Sequence, residues 1–225
     1  AGVGAISLQV DYIIVGAGSA GCVLANRLTA DGKTRVLLLE AGGDDRPMHN
    51  PSQFLSNVMI HVPVGYSQAL KDPKVNWLYQ TEPDPGSGGR QHAWPRGKVL
   101  GGCSAINAMI YMRGQRADYD NWRQQGLTGW GWDDVRPFFL KHQDHMTGGE
   151  HHGQGGEWRV EHPRMRWQVL DAFAEAADAA GIPHVADFNT GDNTGVGYFQ
   201  VNQKSGVRWS SGVPGLPTRE CVNTP

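Results

Sequence analysis

The residues of this chain with the clearest chemical purpose form a glycine loop near its start. Gly16-Ala17-Gly18-Ser19-Ala20-Gly21 follows a short apolar run, and Glu40 ends a second apolar run about 20 residues later. A backbone without bulky side chains, at the start of a helix, can approach a phosphate and offer it free N–H groups. Glu40 suits the hydroxyls of a ribose, and its charge disfavours a 2′-phosphate. The spacing therefore predicts a dinucleotide site.

Two strands and a helix must position these residues. Residues 11–15 and 35–40 are apolar runs typical of buried parallel strands, and residues 22–28 between them carry apolar side chains at helical spacing. A strand, glycine turn, helix and second strand ending in an acid form the βαβ fingerprint of dinucleotide-binding proteins. The fingerprint does not separate NAD from FAD, since both carry the same ADP half. The alternative to a dinucleotide site is a glycine turn in an ordinary βα unit that binds no ligand.

A second segment, residues 94–114, has almost no side-chain bulk at its centre. That centre is the run Gly101-Gly102-Cys103-Ser104-Ala105, and the cations Arg96 and Lys98 precede it. Such a segment suits a backbone that lies against something flat or highly charged, and the cations favour phosphate. By its residues alone, it is equally compatible with a glycine-rich loop that leads into a buried helix.

Together these segments resemble the glucose-methanol-choline (GMC) family of FAD-dependent oxidoreductases, in particular its bacterial choline and alcohol dehydrogenase-like members. The resemblance extends from about residue 11 to about residue 213, and its motifs are residues 16–21, 39–42, 96–107, 111–114, 118–122, 129–132 and 210–211. It implies an enzyme that oxidises an alcohol CH–OH group by hydride transfer to flavin N5. Its other small-molecule partner would be an electron acceptor, either oxygen or a quinone- or dye-type compound.

The resemblance also implies which residues contact the cofactor. Residues 94–110 would run along the FAD from the pyrophosphate to the isoalloxazine ring. The full implied set is Gly16, Gly18, Ser19, Ala20, Gly21, Glu40, Ala41, Trp77, Arg96, Val99, Gly101, Gly102, Ser104, Asn107, Ala108 and Ile110. By residue type alone, Trp77 would more often be a core aromatic. Ile106 stands where family members with covalent FAD have His, so we expect non-covalent FAD.

No catalytic residue is expected in this chain. Hydride transfer from an alcohol needs a base for the hydroxyl proton, and the family places a His for this role far toward the C-terminus. Whole members are more than twice as long as these 225 residues, and none of the nine histidines aligns with that base. We therefore expect the chain to be inactive alone. The alternatives are an inactive nucleotide-binding fragment and an NAD-dependent dehydrogenase, which residues 94–114 disfavour.

The expected fold class is α/β (α+β overall), a truncated chain with a Rossmann-like FAD-binding domain and the start of a substrate-binding domain. The predicted parts are a leader or tag at 1–10, the FAD-binding domain at 11–150 with a lid excursion at 44–93, the second domain at 151–213 and an atypical tail at 214–225. Such a chain would leave unpaired sheet edges, which a complementary chain or a homo-oligomer would cover.

Three further elements and two polar segments are predicted. Helices are expected at 133–140, capped by Asp, and at 169–180, and residues 197–203 alternate like a strand. His142, His145, His151 and His152 lie in a polar glycine-rich loop without acids or thiols at ligand spacing, so no metal is expected. Asp44-Asp45 is predicted to be a solvated turn.

The composition disfavours several other classes of protein. Lys and Arg total 20 against 22 Asp and Glu, and the net charge of −2 argues against a nucleic-acid or anionic-membrane binder. No apolar run approaches the roughly 20 residues of a spanning helix. Cys22, Cys103 and Cys221 have no metal or redox spacing, so we expect a reducing, cytoplasmic environment.

Overall fold

The structure is a computed structural model that describes residues 9–49, 51–191 and 193–212. The chain forms two compact units: one runs up to Asn107 and resumes at Ser210, and the other is Ala108–Trp209. The predicted domain boundary at residue 150 stays a prediction. The predicted tail at 214–225 and all but two residues of the predicted leader lie outside the described residues.

The first unit opens with a βαβ motif of β1 (Tyr12–Val15), α1 (Ser19–Leu28) and β2 (Val36–Leu39). The strands are parallel, with Tyr12 opposite Val36 and Val15 opposite Leu39. Parallel neighbours need a crossover connection, which α1 supplies. The predicted α/β class with a Rossmann-like beginning is confirmed, and the element bounds differ from the predicted ones by only a few residues.

The remainder of the first unit contains helices, a short strand pair and a buried apolar cluster. Its elements are α2 (Phe54–His61), α3 (Tyr66–Ala69), the antiparallel pair β3 (Tyr79–Gln80) and β4 (Ala93–Trp94), and α4 (Cys103–Ile106). The buried cluster comprises Ile60, Ala69, Val75, Val99, Ala105 and Ile106. Because this cluster draws on both the 44–93 excursion and the second glycine segment, the core fixes the glycine segment in place.

The second unit contains three helices and short strand pairs among the residues that the structure describes. The helices are α5 (Arg116–Gln124), α6 (Trp132–His142) and α7 (Gln168–Ala179); the strands are β5 (Ile110–Tyr111), β6 (Gln143–His145), β7 (Trp158–Val160), β8 (Gln200–Val201), β9 (Gln203–Lys204) and β10 (Val207–Arg208). β5 pairs with β8 and β9 with β10 in antiparallel fashion, whereas β6 and β7 are parallel. No helix in the described parts of the chain is long and apolar enough to cross a membrane.

The single strand predicted at 197–203 is wrong, because the chain changes partners at Asn202. The N–H of Asn202 donates to the Met109 carbonyl at 2.8 Å, and its own carbonyl accepts the Trp209 N–H at 3.0 Å. β8 and β9 are therefore two short strands with different neighbours. The predicted helices are present as α6 and α7, but the N-cap of α6 is Gly131, whose N–H donates to the Asp134 carboxylate at 3.0 Å.

Two segments predicted to be solvated are partly buried. Asp45 is 3% exposed and His61 Nε2 lies 2.9 Å from its carbonyl oxygen, because α2 packs over the turn. In the histidine loop, His145 and His152 are 2% and 8% exposed, and their rings stack with centroids 3.9 Å apart. The composition of both segments predicts exposed polar loops, but neighbouring elements pack against them and bury these side chains.

Candidate functional site

The two glycine segments meet in the first unit. The Gly101 N–H donates to the Ala17 carbonyl at 2.8 Å. Gly102 has φ +54°, and a Cβ built on it would lie 2.7 Å from the Gly18 Cα, so only glycine permits this approach. The low-bulk segment therefore lies directly against the turn between β1 and α1.

A cleft of about 490 Å³ opens at this junction. It is lined by Val15, Gly16, Gly18, Leu39, Glu40, Ala41, Trp77, Arg96, Gly97, Gly102 and Cys103. Val15 and Leu39 are the last residues of the two parallel strands. The cleft thus lies outside the carboxyl ends of β1 and β2, which is where open α/β sheets bind their ligands.

The glycine loop leaves room on its cleft side and is tightly packed behind. A Cβ on Gly18 would meet nothing nearer than the Gly102 Cα at 4.0 Å, whereas one on Gly21 would lie 1.9 Å from the Gly16 carbonyl oxygen. Ser19 and Ala20 are exposed at the start of α1, which has Gly18 as N-cap and no side-chain capping bond. The first turn of a helix has N–H groups without intrahelical acceptors, so this end suits an anion.

Glu40 joins the end of β2 to the glycine loop. Its Oε2 accepts the Ala17 N–H at 2.8 Å, and its Oε1 accepts the Gly42 N–H at 2.9 Å. A carboxylate has about four acceptor sites, so both oxygens retain capacity for a hydroxyl. The arrangement fixes a negative group at the cleft wall, in the position the βαβ fingerprint assigns to ribose recognition.

Trp77 and Arg96 form another part of the cleft wall. Trp77 is 41% exposed, so it is not the core aromatic that its residue type favours. Its ring stacks on Tyr79 with centroids 5.8 Å apart and planes 8° apart, and Lys98 Nζ lies 4.7 Å from its centroid. The Arg96 guanidinium lies 5.1 Å from the Trp94 ring centroid. The wall therefore combines flat aromatic surface with positive charge.

Other predicted contact residues are not among those that line the cleft. Val99 is 0% exposed in the apolar cluster. The buried Ser104 donates its Oγ proton to the Gly101 carbonyl at 2.6 Å and accepts the Ser211 N–H at 3.0 Å. Asn107 is exposed at the end of α4, and Ala108 and Ile110 belong to the second unit. Seven predicted residues thus line the cleft, namely Gly16, Gly18, Glu40, Ala41, Trp77, Arg96 and Gly102.

Cys103 is a cleft residue that sequence reasoning missed. It begins α4, whose next three residues turn inward and are buried, while Cys103 itself is exposed at the cleft. Cys22 differs, because it is buried, its Sγ lies 3.2 Å from the Ala17 carbonyl oxygen, and burial raises the pKa of its thiol. Cys103 and Ser104 are adjacent in α4 but differ in exposure, and this difference follows from the fold, with no signal in the sequence.

A polar cluster in the second unit surrounds the stacked histidines. His152 Nε2 lies 2.5 Å from the Asp187 carboxylate, and Arg113 donates to Gln143 Oε1 at 2.6 Å. Burial and the neighbouring His152 lower the pKa of His145 to about 4. Burial acts to raise the pKa of Asp187, but the hydrogen bond from His152 holds it well below its usual range. Across the described residues, no three His, Cys, Asp or Glu side chains are placed to share a metal ion.

Curated relatives match along most of the chain. The alcohol dehydrogenase (acceptor) of Pseudomonas putida is 45% identical over 203 residues, which are 89% of this chain and 35% of that protein. The human mitochondrial choline dehydrogenase is 43% identical over 204 residues, 90% of this chain and 34% of that protein. The chain thus spans about a third of the length of the curated relatives it matches.

Solved structures share the fold. A pyridoxine 4-oxidase from Mesorbium loti aligns with a TM-score of 0.82 and 35% identity over 93% of this chain and 40% of that one. An FAD-dependent oxidoreductase from Chaetomium thermophilum aligns with a TM-score of 0.79 and 28% identity over 92% and 36%. A family model described as GMC oxidoreductase matches residues 10–218. With the glycine segments joined at one cleft and this match along nearly its whole length, the chain belongs to the GMC oxidoreductase family.

Proposed function

We propose that this chain forms the FAD-binding part of an oxidoreductase that oxidises an alcohol CH–OH group. The observation that carries the proposal is the contact between the two glycine segments at the mouth of one cleft. Membership of a family of alcohol- and choline-oxidising enzymes supports it. When bound, the flavin supplies N5 as hydride acceptor, with a small alcohol as donor and oxygen or a quinone- or dye-type compound as final acceptor.

Different residues at the cleft suit different parts of the FAD molecule. The open side of Gly18 and the first turn of α1 suit the pyrophosphate, and Glu40 suits the adenosine ribose. The Gly101-Gly102 backbone, which presents no side chain, would lie along the cofactor beyond the pyrophosphate. Trp77 and Arg96 would supply a flat surface and a compensating positive charge.

The role of this chain is binding and orientation. Removal of the alcohol proton needs a group with a pKa near the working pH, and we assign no residue of these 225 to that task. We therefore expect the isolated chain to bind FAD without turning over alcohols. Bleaching of the flavin band by an alcohol in the isolated chain would contradict this assignment, and colour without bleaching would agree with it.

The cofactor is expected to be held without a covalent bond. Ile106 offers no nucleophile, and its side chain is 2% exposed in the apolar cluster. After acid precipitation of the holoprotein, the yellow colour should be in the supernatant. A yellow pellet would contradict the prediction, and Cys103→Ala provides the control, because a pellet that loses its colour in that variant would identify the exposed cleft thiol as the attachment point.

Site-resolved alkylation tests the location of the site. Cys103 is exposed at the cleft and Cys22 is buried, so iodoacetamide should label Cys103 in the ligand-free chain and leave Cys22 largely unlabelled. Saturating FAD should slow labelling of Cys103 about tenfold, with its peptide quantified by mass spectrometry. Equal or better protection by NAD would favour the NAD-dependent dehydrogenase. An unchanged rate with FAD would remove the cofactor from this cleft.

A further inference from the structure

We propose that Asn76, buried behind the cleft, is a positioning residue that fixes Trp77 and Arg96 as the wall against which the cofactor binds. Asn76 does not itself line the cleft, but it is the neighbour of Trp77 in the chain and is bonded to Arg96. The expected effect on the cofactor rests on the proposed FAD site, whereas the positioning of Trp77 and Arg96 rests on the contacts of Asn76.

The side chain of Asn76 uses both ends of its amide. It is 2% exposed, and its Nδ2 donates to the Leu70 carbonyl at 2.7 Å. Its Oδ1 accepts two backbone N–H groups, from Leu78 at 3.1 Å and from Arg96 at 2.9 Å. One oxygen therefore ties together two chain segments, and the amide nitrogen anchors that oxygen to a third.

The two segments that Asn76 joins also carry the cleft wall. Asn76 lies opposite Gly97 in an isolated antiparallel bridge. The Trp77 N–H donates to the Arg96 carbonyl at 2.9 Å, and the Lys98 N–H donates to the Val75 carbonyl at 2.8 Å. In such a ladder a slip by one residue turns each side chain to the other face, so the register decides which residues reach the cleft.

The Asn76 side chain also supports an unusual backbone conformation next to Trp77. Leu78 has φ +54°, a left-handed value that non-glycine residues rarely adopt. The bond from the Leu78 N–H to Asn76 Oδ1 closes a turn around Trp77, of the kind Asn favours. Without that acceptor, Leu78 would relax toward an extended conformation, and the indole would lose its contacts with Tyr79 and Lys98.

Two substitutions separate this role from general support of the fold. Asn76→Leu removes all three bonds, whereas Asn76→Asp keeps the acceptors for Leu78 and Arg96 but replaces the donor to the Leu70 carbonyl by a carboxyl oxygen. The matched control is Asn57→Leu, because Asn57 is also fully buried in the first unit and donates to the Asp44 and Arg46 carbonyls, but does not line or adjoin the cleft wall. Trp77→Phe identifies the signals that belong to the indole.

The first measurement needs no cofactor. In a 15N-tryptophan-labelled chain, the indole N–H resonance that disappears in Trp77→Phe is that of Trp77. We expect it to shift or broaden in Asn76→Leu, and to stay near its wild-type position in Asn76→Asp and Asn57→Leu. An unshifted resonance in Asn76→Leu, or an equal shift in Asn57→Leu, would overturn the positioning role even if no FAD bound.

The second measurement reads the consequence at the cofactor. An electron-rich indole stacked on a flavin quenches its emission and a phenyl ring does not, so the fluorescence of bound FAD should rise about threefold in both Trp77→Phe and Asn76→Leu, with Asn76→Asp close to the wild type. The dissociation constant for FAD should rise about tenfold in Asn76→Leu and change little in Asn57→Leu. Wild-type emission and affinity in Asn76→Leu would overturn the inference, whereas a wild-type chain that binds no FAD would instead contradict the proposed function.

Discussion

At the scale of single residues, Gly18 and Gly21 of the glycine loop at residues 16–21 differ in what requires them to be glycine. Gly21 is required by the protein itself, because a Cβ there would lie 1.9 Å from the Gly16 carbonyl oxygen and 3.4 Å from Ile14 Cγ2. Gly18 meets no such obstacle, and its backbone at φ −76° is open to any residue. The space beside Gly18 therefore has no structural use in the first unit, which is why we assign it to a ligand.

Alanine substitutions should separate these two requirements. Gly21→Ala should lower the stability of the chain by several kcal/mol, since backbone must move to admit the methyl group. Gly18→Ala should cost less than about 1 kcal/mol, the range for replacing a helix N-cap residue, but weaken FAD binding about tenfold. Thermal melts and flavin titrations measure the two effects. Unchanged FAD affinity in Gly18→Ala would argue against pyrophosphate binding at this loop.

At the scale of elements, β6, β7 and the turn between them bury a pair of imidazoles. β6 runs parallel to β7, with His145 opposite Val160, and the turn brings His152 onto His145. His145 Nε2 is buried and has no hydrogen-bond partner in the described structure. The charged or titratable groups around it are His152, Asp187, His162 and Arg113. A proton on His145 would be poorly solvated there, so the folded chain favours the neutral ring.

This environment predicts a pH dependence of stability. The pKa of His145 is about 4 in the folded chain and about 6.5 when unfolded, so between these values only the unfolded chain binds the proton. The free energy of unfolding should therefore fall as pH drops from about 6.5 to about 4, by about 3 kcal/mol in all, with no further loss from this group below pH 4; the part lost between pH 7 and pH 5 is about 2 kcal/mol. The low pKa of Asp187 adds stability that is lost only at more acidic pH.

Urea unfolding at pH 7 and pH 5 tests this dependence. In His145→Phe, which keeps a ring but cannot titrate, the difference between the two pH values should shrink by most of that amount. His92→Gln, a change at an exposed histidine of the first unit, should retain the wild-type difference. Equal pH dependence in the wild type and His145→Phe would show that His145 is not the group responsible.

At the scale of the whole molecule, the sheet of the βαβ motif stands out. In the described residues β1 pairs with β2 alone, and Tyr12, Ile13 and Val15 are 51%, 61% and 84% exposed. A two-stranded sheet is marginally stable in water, and apolar strands with free edges promote association. The chain also spans only about 35% of the length of its relatives. We therefore expect these strands, in the isolated chain, to associate with either a complementary chain or a second copy.

The isolated chain should accordingly bind a hydrophobic dye and elute with a concentration-dependent size. Ile13→Lys combined with Val15→Lys should reduce both effects, because charges on strand faces and edges oppose association. Gln124→Lys with Gln125→Lys adds the same charge at exposed positions of the second unit and serves as the control. A monodisperse wild-type monomer that melts cooperatively and binds no dye would contradict the expectation.

The sequence by itself determined the βαβ motif, the positions of α6 and α7, the family and most of the cleft-lining residues. These features depend on short-range spacing: glycines at a turn, apolar residues at strand or helix period, and an acid after β2. Only the tertiary structure decided which side each residue faces. It buried Asp45, His145 and Val99, exposed Trp77 and Cys103 at the cleft, and gave Asn76 its bond to Arg96. Those outcomes depend on contacts between segments that are distant in the chain. Local patterns do not encode them, because the burial of a side chain depends on which other elements pack against it.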